Sequence, residues 1–373
     1  MVINIECLIG MRMMLADNSI DAVVTDPPYG LSKQPDMNEV LCHWLNGDDY
    51  VHTGSGFMGK KWDSFVPGPS IWKEVFRVLK PGGHLLAFFG TRTYDLGTLA
   101  IRLAGFEIRD QIDWIYGSGF PKSLDVSKAV AEKKGLDHLF GTDHPEQNWQ
   151  GWGTGLKPAH EPICVARKPL AGTVAENVLQ FGTGGMNIDG CRIIDGTETR
   201  SEKPQYKPNN TNQVYGSGMG GGAWINTNGR FPANFIHDGS AEVTDLLPGG
   251  SERFFYCAKA SKSDRDEGVL LAKMTAAEMT YREPDTDGLN SPRAGAGRTS
   301  GARNNHPTVK PTALMQWLVR LVTPPGGKVL DPFTGSGSTG KACAIEGFDF
   351  IGFEMDPHYC EIAKQRIAYV HNR

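Results

Sequence analysis

Four consecutive residues near the amino terminus combine a carboxylate, a rigid backbone and an aromatic ring: Asp26, Pro27, Pro28 and Tyr29. They follow an apolar, largely β-branched run over residues 20–25, which predicts a short buried strand. Because neither proline can donate a hydrogen bond to a sheet, the chain must leave the sheet here. We therefore expect the carboxylate and the ring at the carboxyl end of a strand, where open α/β sheets bind ligands. A rigid turn without a chemical role is the alternative interpretation.

A glycine-rich run near the carboxyl terminus, Gly-Ser-Gly-Ser-Thr-Gly-Lys over residues 335–341, is the second candidate site. It fits the first seven places of a phosphate-binding loop, but Ala342 stands where a Ser or Thr must coordinate Mg²⁺. Roughly 20 residues beyond the glycines, Glu354 closes the next predicted strand, and a carboxylate there can accept both hydroxyls of a ribose. The spacing favours a pocket for an adenosine-type cofactor. A phosphate loop and a purely structural turn remain as alternatives.

Strands and helices alternate on either side of a long irregular middle region. This alternation predicts an α/β fold with a doubly wound, mostly parallel sheet. Residues 31–69 have no clear period and are predicted to form a loop over the mouth of the sheet. Residues 171–305 are rich in Gly, Asn, Thr and Ser, and so long a stretch is unusual in a compact domain. We expect an inserted, specialised region with short strands such as 187–194 and 253–258.

Three motifs in order resemble those of a known family. Residues 331–337, Asp-Pro-Phe-Thr-Gly-Ser-Gly, resemble the F-x-G-x-G motif by which S-adenosylmethionine-dependent DNA methyltransferases hold their cofactor. Residues 26–29 resemble the [DNS]-P-P-[YFW] motif of the amino-group DNA methyltransferases, which act on adenine N6 or cytosine N4. Residues 306–311, His-Pro-Thr-Val-Lys-Pro, are similar to the H-P-[ST]-x-K-P motif that precedes the cofactor glycines. Since the catalytic motif comes first, the order resembles the permuted β group.

This resemblance implies a division of the chain and an activity. Residues 1–170 would form the catalytic half of a Rossmann-like methyltransferase domain, 171–305 an inserted target-recognition region, and 306–373 the cofactor-binding half. The implied reaction is site-specific transfer of a methyl group from S-adenosyl-L-methionine to a flipped base in double-stranded DNA. Adenine N6 is preferred, because family members with Asp at the first motif position mostly methylate adenine. Cytosine N4 methylation, RNA or protein N-methylation and a P-loop nucleotide-binding protein are the alternatives.

The chemistry of amino-group methylation suits the first motif. The lone pair of an exocyclic amino group is conjugated into the ring, and acceptors beside its protons reduce that conjugation. The Asp26 carboxylate and the Pro27 carbonyl can supply two acceptors, with proline fixing the backbone. Tyr29 offers a flat face for a base turned out of the duplex. We assign the catalytic role to Asp26, Pro27, Pro28 and Tyr29.

The resemblance also implies the residues of the cofactor site. Glu6 and Cys7 stand where related enzymes carry an acidic residue and a small one after the first strand, although Glu replaces the commoner Asp. Lys310 is expected to orient backbone or cofactor groups. The full set of expected cofactor contacts is Glu6, Cys7, Asp26, His306, Thr308, Lys310, Asp331, Phe333, Gly335, Gly337 and Glu354.

DNA contact must come from local basic features, because the net charge is only −4. Residues 288–310 contain three arginines and Lys310 without any acidic residue, which suits a mobile arm on phosphates. Further candidates lie close to the predicted mouth of the sheet. The predicted DNA-binding residues are Lys61, Lys122, Arg293, Arg298 and Arg303.

Composition limits the remaining possibilities. The 373 residues include seven dispersed cysteines without a C-x-x-C pair, so neither a disulfide framework nor a metal site is indicated. No apolar run reaches about 18 residues, and the first residues lack the pattern of a secretory signal. We expect a cytoplasmic protein without a membrane segment. A homodimer and a cognate restriction endonuclease acting on the same sequence are compatible with the resemblance.

Overall fold

A computed structural model describes the chain over residues 1–31, 33–54, 61–117, 119, 123–134, 145–193, 229–247, 254–275, 278 and 301–372. Within these residues, no helix is long and apolar enough to cross a membrane.

One sheet of nine strands organises the described part of the chain, in the order β1-β9-β8-β2-β3-β5-β4-β6-β7. Every neighbouring pair is parallel except the two pairs that involve β5. The strands are β1 Val2–Asn4, β2 Ile20–Thr25, β3 Leu79–Phe88, β4 Glu107–Ile115, β5 His160–Arg167, β6 Phe235–His237, β7 Phe255–Tyr256, β8 Lys328–Asp331 and β9 Asp349–Glu354.

Helices cover both faces of this sheet. In the described residues they are α1 Cys7–Met14, α2 Met37–Asn46, α3 Pro69–Val78, α4 Tyr94–Leu103, α5 Val126–Lys134, α6 Val174–Phe181, α7 Ala241–Thr244, α8 Lys262–Asp266, α9 Thr312–Val322, α10 Ser338–Glu346 and α11 Pro357–His371.

The central strand β2 shows why both faces are covered. All six of its residues are buried. Because side chains alternate along a strand, Ala22 and Val24 pack in one apolar layer, with α9 and α10, while Val23 packs in the other, with α1 and α3. Ile20 joins the layer of Val23, because the strand register is irregular between Ile20 and Ala22. The predicted doubly wound, mostly parallel α/β sheet is confirmed.

Two local predictions are wrong. The expected loop over 31–69 contains helix α2, which starts because the Asp36 carboxylate caps it and ends at Gly47 in the left-handed conformation. Only Val40 and Trp44 of this helix are buried, too few to give a visible apolar period. The expected strand 187–194 instead holds a 3₁₀ turn at Asp189–Cys191, because the Asn187 side chain accepts the Gly190 N–H at 3.0 Å.

The middle region is joined to the rest of the fold at both ends. Strands β6 and β7 continue the sheet beyond β4, and β7 is shorter than the run predicted for 253–258. Helix α8 packs on the carboxyl-terminal half, where the Asp264 carboxylate accepts the Thr312 N–H at 2.9 Å. The Arg265 guanidinium donates to the His306 carbonyl at 2.7 Å. Part of the middle region therefore packs against the segment that precedes α9 and stabilises it.

Candidate functional site

The carboxyl ends of β2, β8 and β9 meet at one edge of the sheet, and a cavity of about 1220 Å³ opens there. Strand β2 lies where the chain order reverses, with β3 on one side and β8 on the other. Ligands bind at such switch points because the loops on either side diverge. This volume exceeds the roughly 300–1,000 Å³ that is usual for a small-molecule pocket.

Asp26 follows β2 directly and lines this cavity. Its Oδ2 atom accepts a hydrogen bond from Lys310 Nζ at 2.6 Å. Its Oδ1 atom is buried and has no hydrogen-bond partner among the described residues. Burial raises the pKa of Asp26, against the opposing charge of Lys310. The site therefore holds one unpaired acceptor, which is costly unless a ligand supplies a donor.

Lys310 is a buried cation between two carboxylates. Its side chain is 7% exposed, and its Nζ also lies 3.2 Å from Glu161 Oε2. Burial alone would lower the pKa of Lys310, but the charges of Asp26 and Glu161 raise it, so the amine stays charged. Lys310 thus cannot belong to an exposed phosphate-binding arm, and that part of the prediction for residues 288–310 is wrong.

Glu161 is the site residue that the sequence did not single out. It accepts the Tyr29 hydroxyl at 3.0 Å on Oε2 and the Tyr116 hydroxyl at 3.3 Å on Oε1. Burial disfavours its ionisation, but Lys310 and the Tyr29 hydroxyl outweigh that effect and lower the pKa of Glu161. Glu161 reaches the cavity because β5 runs antiparallel to β3, which places the beginning of β5 at the edge where β2 and β3 end. A parallel strand would have placed its last residues there.

The main chain around Tyr29 is fixed at three points. The Asp63 carboxylate accepts the Tyr29 N–H at 2.8 Å and the Gly30 N–H at 3.1 Å. The Tyr29 carbonyl accepts the Thr93 hydroxyl at 2.6 Å. Gly30 has a φ of +63°, and a Cβ there would lie 2.8 Å from the Val66 nitrogen, so a side chain is excluded. Burial raises the pKa of Tyr29 well above its usual value, and its hydroxyl remains a donor.

The glycine-rich loop is held by the carboxylate of Asp331 at the end of β8. Its Oδ1 accepts the Thr25 hydroxyl at 2.6 Å and the Phe333 N–H at 3.1 Å, and its Oδ2 accepts the Thr339 hydroxyl at 2.6 Å. Burial raises the pKa of Asp331 to about 6. The Thr25 contact ties β2 to β8 one residue before Asp26. This hydrogen bond thus fixes the motif that follows β2 relative to the glycine-rich loop that follows β8.

Glu354 closes β9 beside this loop. Its two oxygens accept the Gly335 N–H and the Asp356 N–H, each at 2.8 Å, while burial raises its pKa to about 7. The loop must approach closely here: Gly335 has a φ of +52°, and a Cβ would lie 2.9 Å from His306 Nε2. The conformation and the close contact both require glycine.

The His306 ring forms one wall of the cavity between two aromatic rings. It stacks on Trp62 with centroids 6.1 Å apart and meets the edge of Tyr359 at 4.6 Å. Burial lowers the pKa of His306 to about 3, so the ring is neutral at pH 7. An apolar, uncharged wall of this kind suits a flat heterocyclic ring.

Glu6 and Cys7, at the start of α1, line the cavity. The Glu6 carboxylate caps α1 by accepting the Leu8 N–H at 3.0 Å and the Ile9 N–H at 2.9 Å. The Cys7 thiol lies 3.3 Å from Glu6 Oε1. Glu6 therefore has a structural role that positions it at the cavity.

Most of the predicted site residues line this single cavity. Those present in its wall are Glu6, Cys7, Asp26, Pro27, Pro28, Tyr29, His306, Thr308, Lys310, Asp331, Phe333, Gly335 and Glu354. Gly337 lies behind the loop, where a Cβ would be 2.8 Å from that of Ala363.

The predicted DNA-binding residues are less well placed. Lys122, Arg293 and Arg298 fall outside the described residues. Lys61 begins a short 3₁₀ turn, and its side chain is also outside the description. Arg303 is exposed and donates to the Val269 carbonyl at 3.2 Å. The DNA contacts remain predictions.

The phosphate-loop alternative does not fit this geometry. Lys341, the lysine of that motif, is 3% exposed and pairs with Asp264 at 3.3 Å and Glu267 at 2.8 Å. It lies outside the wall of the cavity. The buried carboxylates of Asp331 and Glu354 stand beside the loop and would repel a triphosphate, whereas they favour hydroxyl donors and a cationic ligand.

The fold and the site together define a class: an open α/β sheet with a glycine-rich loop after β8, an acidic residue at the end of β9 and a carboxylate after β2 at its switch point. The family described as DNA methylase, which covers the N6 and N4 amino-methyltransferases, matches residues 20–365. The chain belongs to this family, and the resemblance drawn from the three motifs is confirmed.

Individual relatives share shorter or more distant similarity. Type II methyltransferase M.Cfr9I from Citrobacter freundii is 31% identical over 117 residues, covering 31% of this chain and 33% of that protein. The matched part is thus about a third of that relative's length. Type II methyltransferase M.HindIII from Haemophilus influenzae is 22% identical and is matched over 96% of this chain and 92% of its own. The solved structure of PvuII DNA methyltransferase (cytosine-N4-specific) has a TM-score of 0.48 at 14% identity, covering 100% of this chain and 91% of that one.

The cofactor of this family is S-adenosyl-L-methionine, and the cavity fits it. Glu354 stands at the end of the strand after the glycines, where it would hold the ribose of the cofactor, and its Oε2 accepts the Gly335 N–H of the loop. Asp26 and Asp331 supply negative charge at the neighbouring strand ends, which suits a sulfonium cation. Trp62, His306 and Tyr359 add aromatic surface to the cavity wall.

Proposed function

We propose that the protein transfers a methyl group from S-adenosyl-L-methionine to the exocyclic amino group of a base turned out of double-stranded DNA, with adenine N6 as the preferred atom. The observation that carries this proposal is the buried, unpaired Oδ1 of Asp26, in the same cavity as the glycine loop. An amino group supplies the donor that this oxygen lacks.

The cofactor supplies an electrophilic methyl group, and the residues of this chain prepare the nitrogen that receives it. Asp26 Oδ1 accepts one amino hydrogen, which draws the nitrogen lone pair out of conjugation with the ring. Lys310 holds the other oxygen at 2.6 Å and so fixes the plane of the carboxylate. Because burial raises the pKa of Asp26, this carboxylate can also take up the proton that the amino group releases.

Tyr29 lies beside this acceptor with its hydroxyl held by Glu161, so its ring has a fixed position. Because the target amino group of a paired base is engaged within the duplex, the base must enter the cavity unstacked. We propose that the Tyr29 ring supports it there by stacking.

The preference for adenine rests on Asp26 at the first position of the motif, as the family resemblance implies. The DNA adenine methyltransferase YhdJ from Escherichia coli, 41% identical over 63 residues, is consistent with it but covers 17% of this chain. Cytosine N4 is the second candidate, since the same acceptors suit its amino group.

Nucleoside analysis tests the proposal and separates these targets. Duplex DNA methylated by the purified protein would be digested to nucleosides and examined by mass spectrometry. We expect N6-methyldeoxyadenosine. N4-methyldeoxycytidine would establish the second candidate, and methylation of RNA or protein with none of DNA would overturn the proposal. Sequencing the modified positions would give the recognition sequence.

The cellular setting is also part of the proposal. We place the reaction in the cytoplasm, on chromosomal DNA, with a cognate restriction endonuclease that cuts the same sequence when it is unmethylated. A homodimer is the proposed assembly. Light scattering of the purified protein measures the assembly, and cleavage of unmethylated host DNA by co-expressed neighbouring gene products tests the nuclease.

A further inference from the structure

Glu161 is a half-buried carboxylate of the cavity wall that belongs to none of the three motifs. It contacts three different side chains of the cavity wall. Lys310 Nζ lies at 3.2 Å, Tyr29 Oη at 3.0 Å and Tyr116 Oη at 3.3 Å. These partners come from three separate parts of the chain, so Glu161 is the point at which they are joined.

We propose that Glu161 is a positioning residue for methyl transfer, which holds the Lys310 ammonium and the Tyr29 ring in place so that Asp26 Oδ1 is presented to the target amino group. This inference rests on the function proposed above and deepens it. Glu161 acts through Lys310 and Tyr29 and need not touch the substrate.

The geometry distinguishes the work of its two oxygens. Oε2 lies on the side of the catalytic motif, where it receives both the Tyr29 hydroxyl and the Lys310 ammonium. Oε1 accepts the Tyr116 hydroxyl from the end of β4. The Tyr116 ring in turn carries Lys259 Nζ at 3.5 Å from its centroid. The Tyr116 contact thereby fixes the Glu161 carboxylate on the Oε1 side, while Oε2 positions Tyr29 and Lys310.

The negative charge of Glu161 is part of this role, because Glu161 and Asp26 share the Lys310 ammonium. Two carboxylates hold one ammonium, and with Glu161 present Lys310 is not drawn wholly to Asp26. The negative charge of Glu161 raises both the pKa of Asp26 and that of Lys310. The titratable or charged groups that act on Glu161 or share its surroundings are Asp26, Tyr29, Tyr116, Asp238, Lys259 and Lys310.

Glu161→Gln is the decisive variant, because it keeps the shape and an acceptor for Tyr29 but removes the charge. We expect kcat to fall by roughly tenfold to 100-fold through misplacement of the reacting groups, with KM for S-adenosylmethionine unchanged. Removing the negative charge lowers the pKa of Asp26, so the acid limb of the kcat profile should move to lower pH. Lowering the pKa of Lys310 should move any basic limb in the same direction. A purely structural role would not shift the limbs.

Two comparison variants separate charge from position. Glu161→Asp keeps the charge but withdraws the carboxylate by one methylene, so kcat should fall while the acid limb stays at its wild-type pH. Glu107→Gln is the matched control, because Glu107 on β4 pairs at 2.7 Å with Arg167 at the other end of β5. It should leave kcat and the pH profile unchanged.

Folding is checked independently by the rise in melting temperature that S-adenosylhomocysteine produces. If Glu161→Gln does not fold, the loss of kcat in Glu161→Asp carries the test. Wild-type kcat and an unshifted acid limb in the folded Gln variant would overturn the positioning role. In that event an active wild-type enzyme would show that the proposed function itself still holds, whereas a wild-type protein that methylates no DNA would overturn both.

Discussion

Two carboxylates at neighbouring strand ends, half-buried Asp26 after β2 and buried Asp331 on β8, differ in how their oxygens are satisfied. Asp331 accepts from Thr25 and Thr339 hydroxyls and from a backbone N–H, so both of its oxygens are occupied. Asp26 is held on Oδ2 by Lys310, and its Oδ1 has no partner within the described chain. Both residues are aspartates, but only Asp26 has an oxygen without a hydrogen-bond partner among the described residues.

The difference separates a residue that holds structure from one prepared for a ligand. A buried carboxylate surrounded by neutral donors stabilises the loop that it caps, and these donors already offset the cost of burying its oxygens. A buried carboxylate with an unpaired oxygen carries a desolvation penalty that a substrate donor removes on binding. Family motifs place both residues in the site, whereas the hydrogen bonds assign them different functions.

The largest effect is expected when the Asp26 carboxylate is removed. Asp26→Ala should lower kcat by about 10²- to 10⁴-fold, because the acceptor for the amino group is lost. DNA binding should be largely retained. Initial rates of radiolabelled methyl transfer and fluorescence anisotropy with duplex DNA measure the two properties.

The control for Asp26 lies at the other end of the same strand. Asp21 is a buried carboxylate that pairs with Lys80 at 2.6 Å, away from the cavity wall. Asp21→Ala should lower the melting temperature and leave kcat per folded enzyme unchanged. Near-normal turnover in Asp26→Ala would show that the motif had been misassigned.

Asp331→Ala tests the other side of the comparison. Three donors lose their common acceptor, so we expect the free energy of unfolding to fall by roughly 1–3 kcal/mol. Urea denaturation followed by circular dichroism measures this. If unfolding is unchanged while methyl transfer disappears, Asp331 binds a ligand directly and the distinction between the two carboxylates is wrong.

Glu354 offers a pH-dependent test on the cofactor side. Its pKa is raised to about 7, so it is ionised above that pH and protonated below it. Since the ionised form is the better acceptor for ribose hydroxyls, affinity for S-adenosylhomocysteine should fall as the pH drops through 7. Glu354→Gln should weaken binding by roughly tenfold at pH 8, the loss of about one charged hydrogen bond, and should flatten the pH dependence. Calorimetric titrations with S-adenosylhomocysteine from about pH 6 to about pH 8 would measure the dissociation constant and its pH dependence.

The exposed Glu361 on α11 is the control for Glu354. Its carboxylate accepts a hydrogen bond from Gln365 at 2.8 Å on the same helix. Glu361→Gln should keep the wild-type affinity and pH dependence. An unchanged dissociation constant in Glu354→Gln would exclude the ribose role.

The smallest effect is expected when the hydrogen bond between Thr25 and Asp331 is removed. Thr25→Val removes the hydroxyl that joins β2 to Asp331 at 2.6 Å and retains the β-branched shape. We expect a loss of about 1 kcal/mol in the free energy of unfolding and a modest loss of kcat. A double-mutant cycle with Asp331→Ala should show a non-additive term, because each variant removes the same contact. Additive effects would mean that this hydrogen bond does not couple the strands.

Much of the fold could be predicted because its signals are local. The apolar run 20–25 and the proline pair mark a buried strand and its end, and Gly335 and Gly337 mark a loop with positive φ. Helix α2 was missed because its burial involves only Val40 and Trp44. Its caps, Asp36 and Gly47, were visible in the sequence and could have located it.

The site residues could likewise be predicted where their sequence signals are local. Motif residues that follow strands β2, β8 and β9 could be assigned to one edge, because parallel strands end on the same side of a sheet. Glu161 could not be assigned, because its place depends on β5 being antiparallel. Strand direction is set by how distant segments pair, and no local pattern of β5 encodes it.

The sequence by itself therefore determined the family, the sheet and the acids at its edge, since each depends on residue types at short spacing. Only the tertiary structure decided which acid is satisfied and which is open. Lys310 reaches Asp26 across 284 positions of sequence, and Thr25 reaches Asp331 across 306. Hydrogen bonding and desolvation depend on such distant neighbours, so the chemical role of each carboxylate is fixed by the fold.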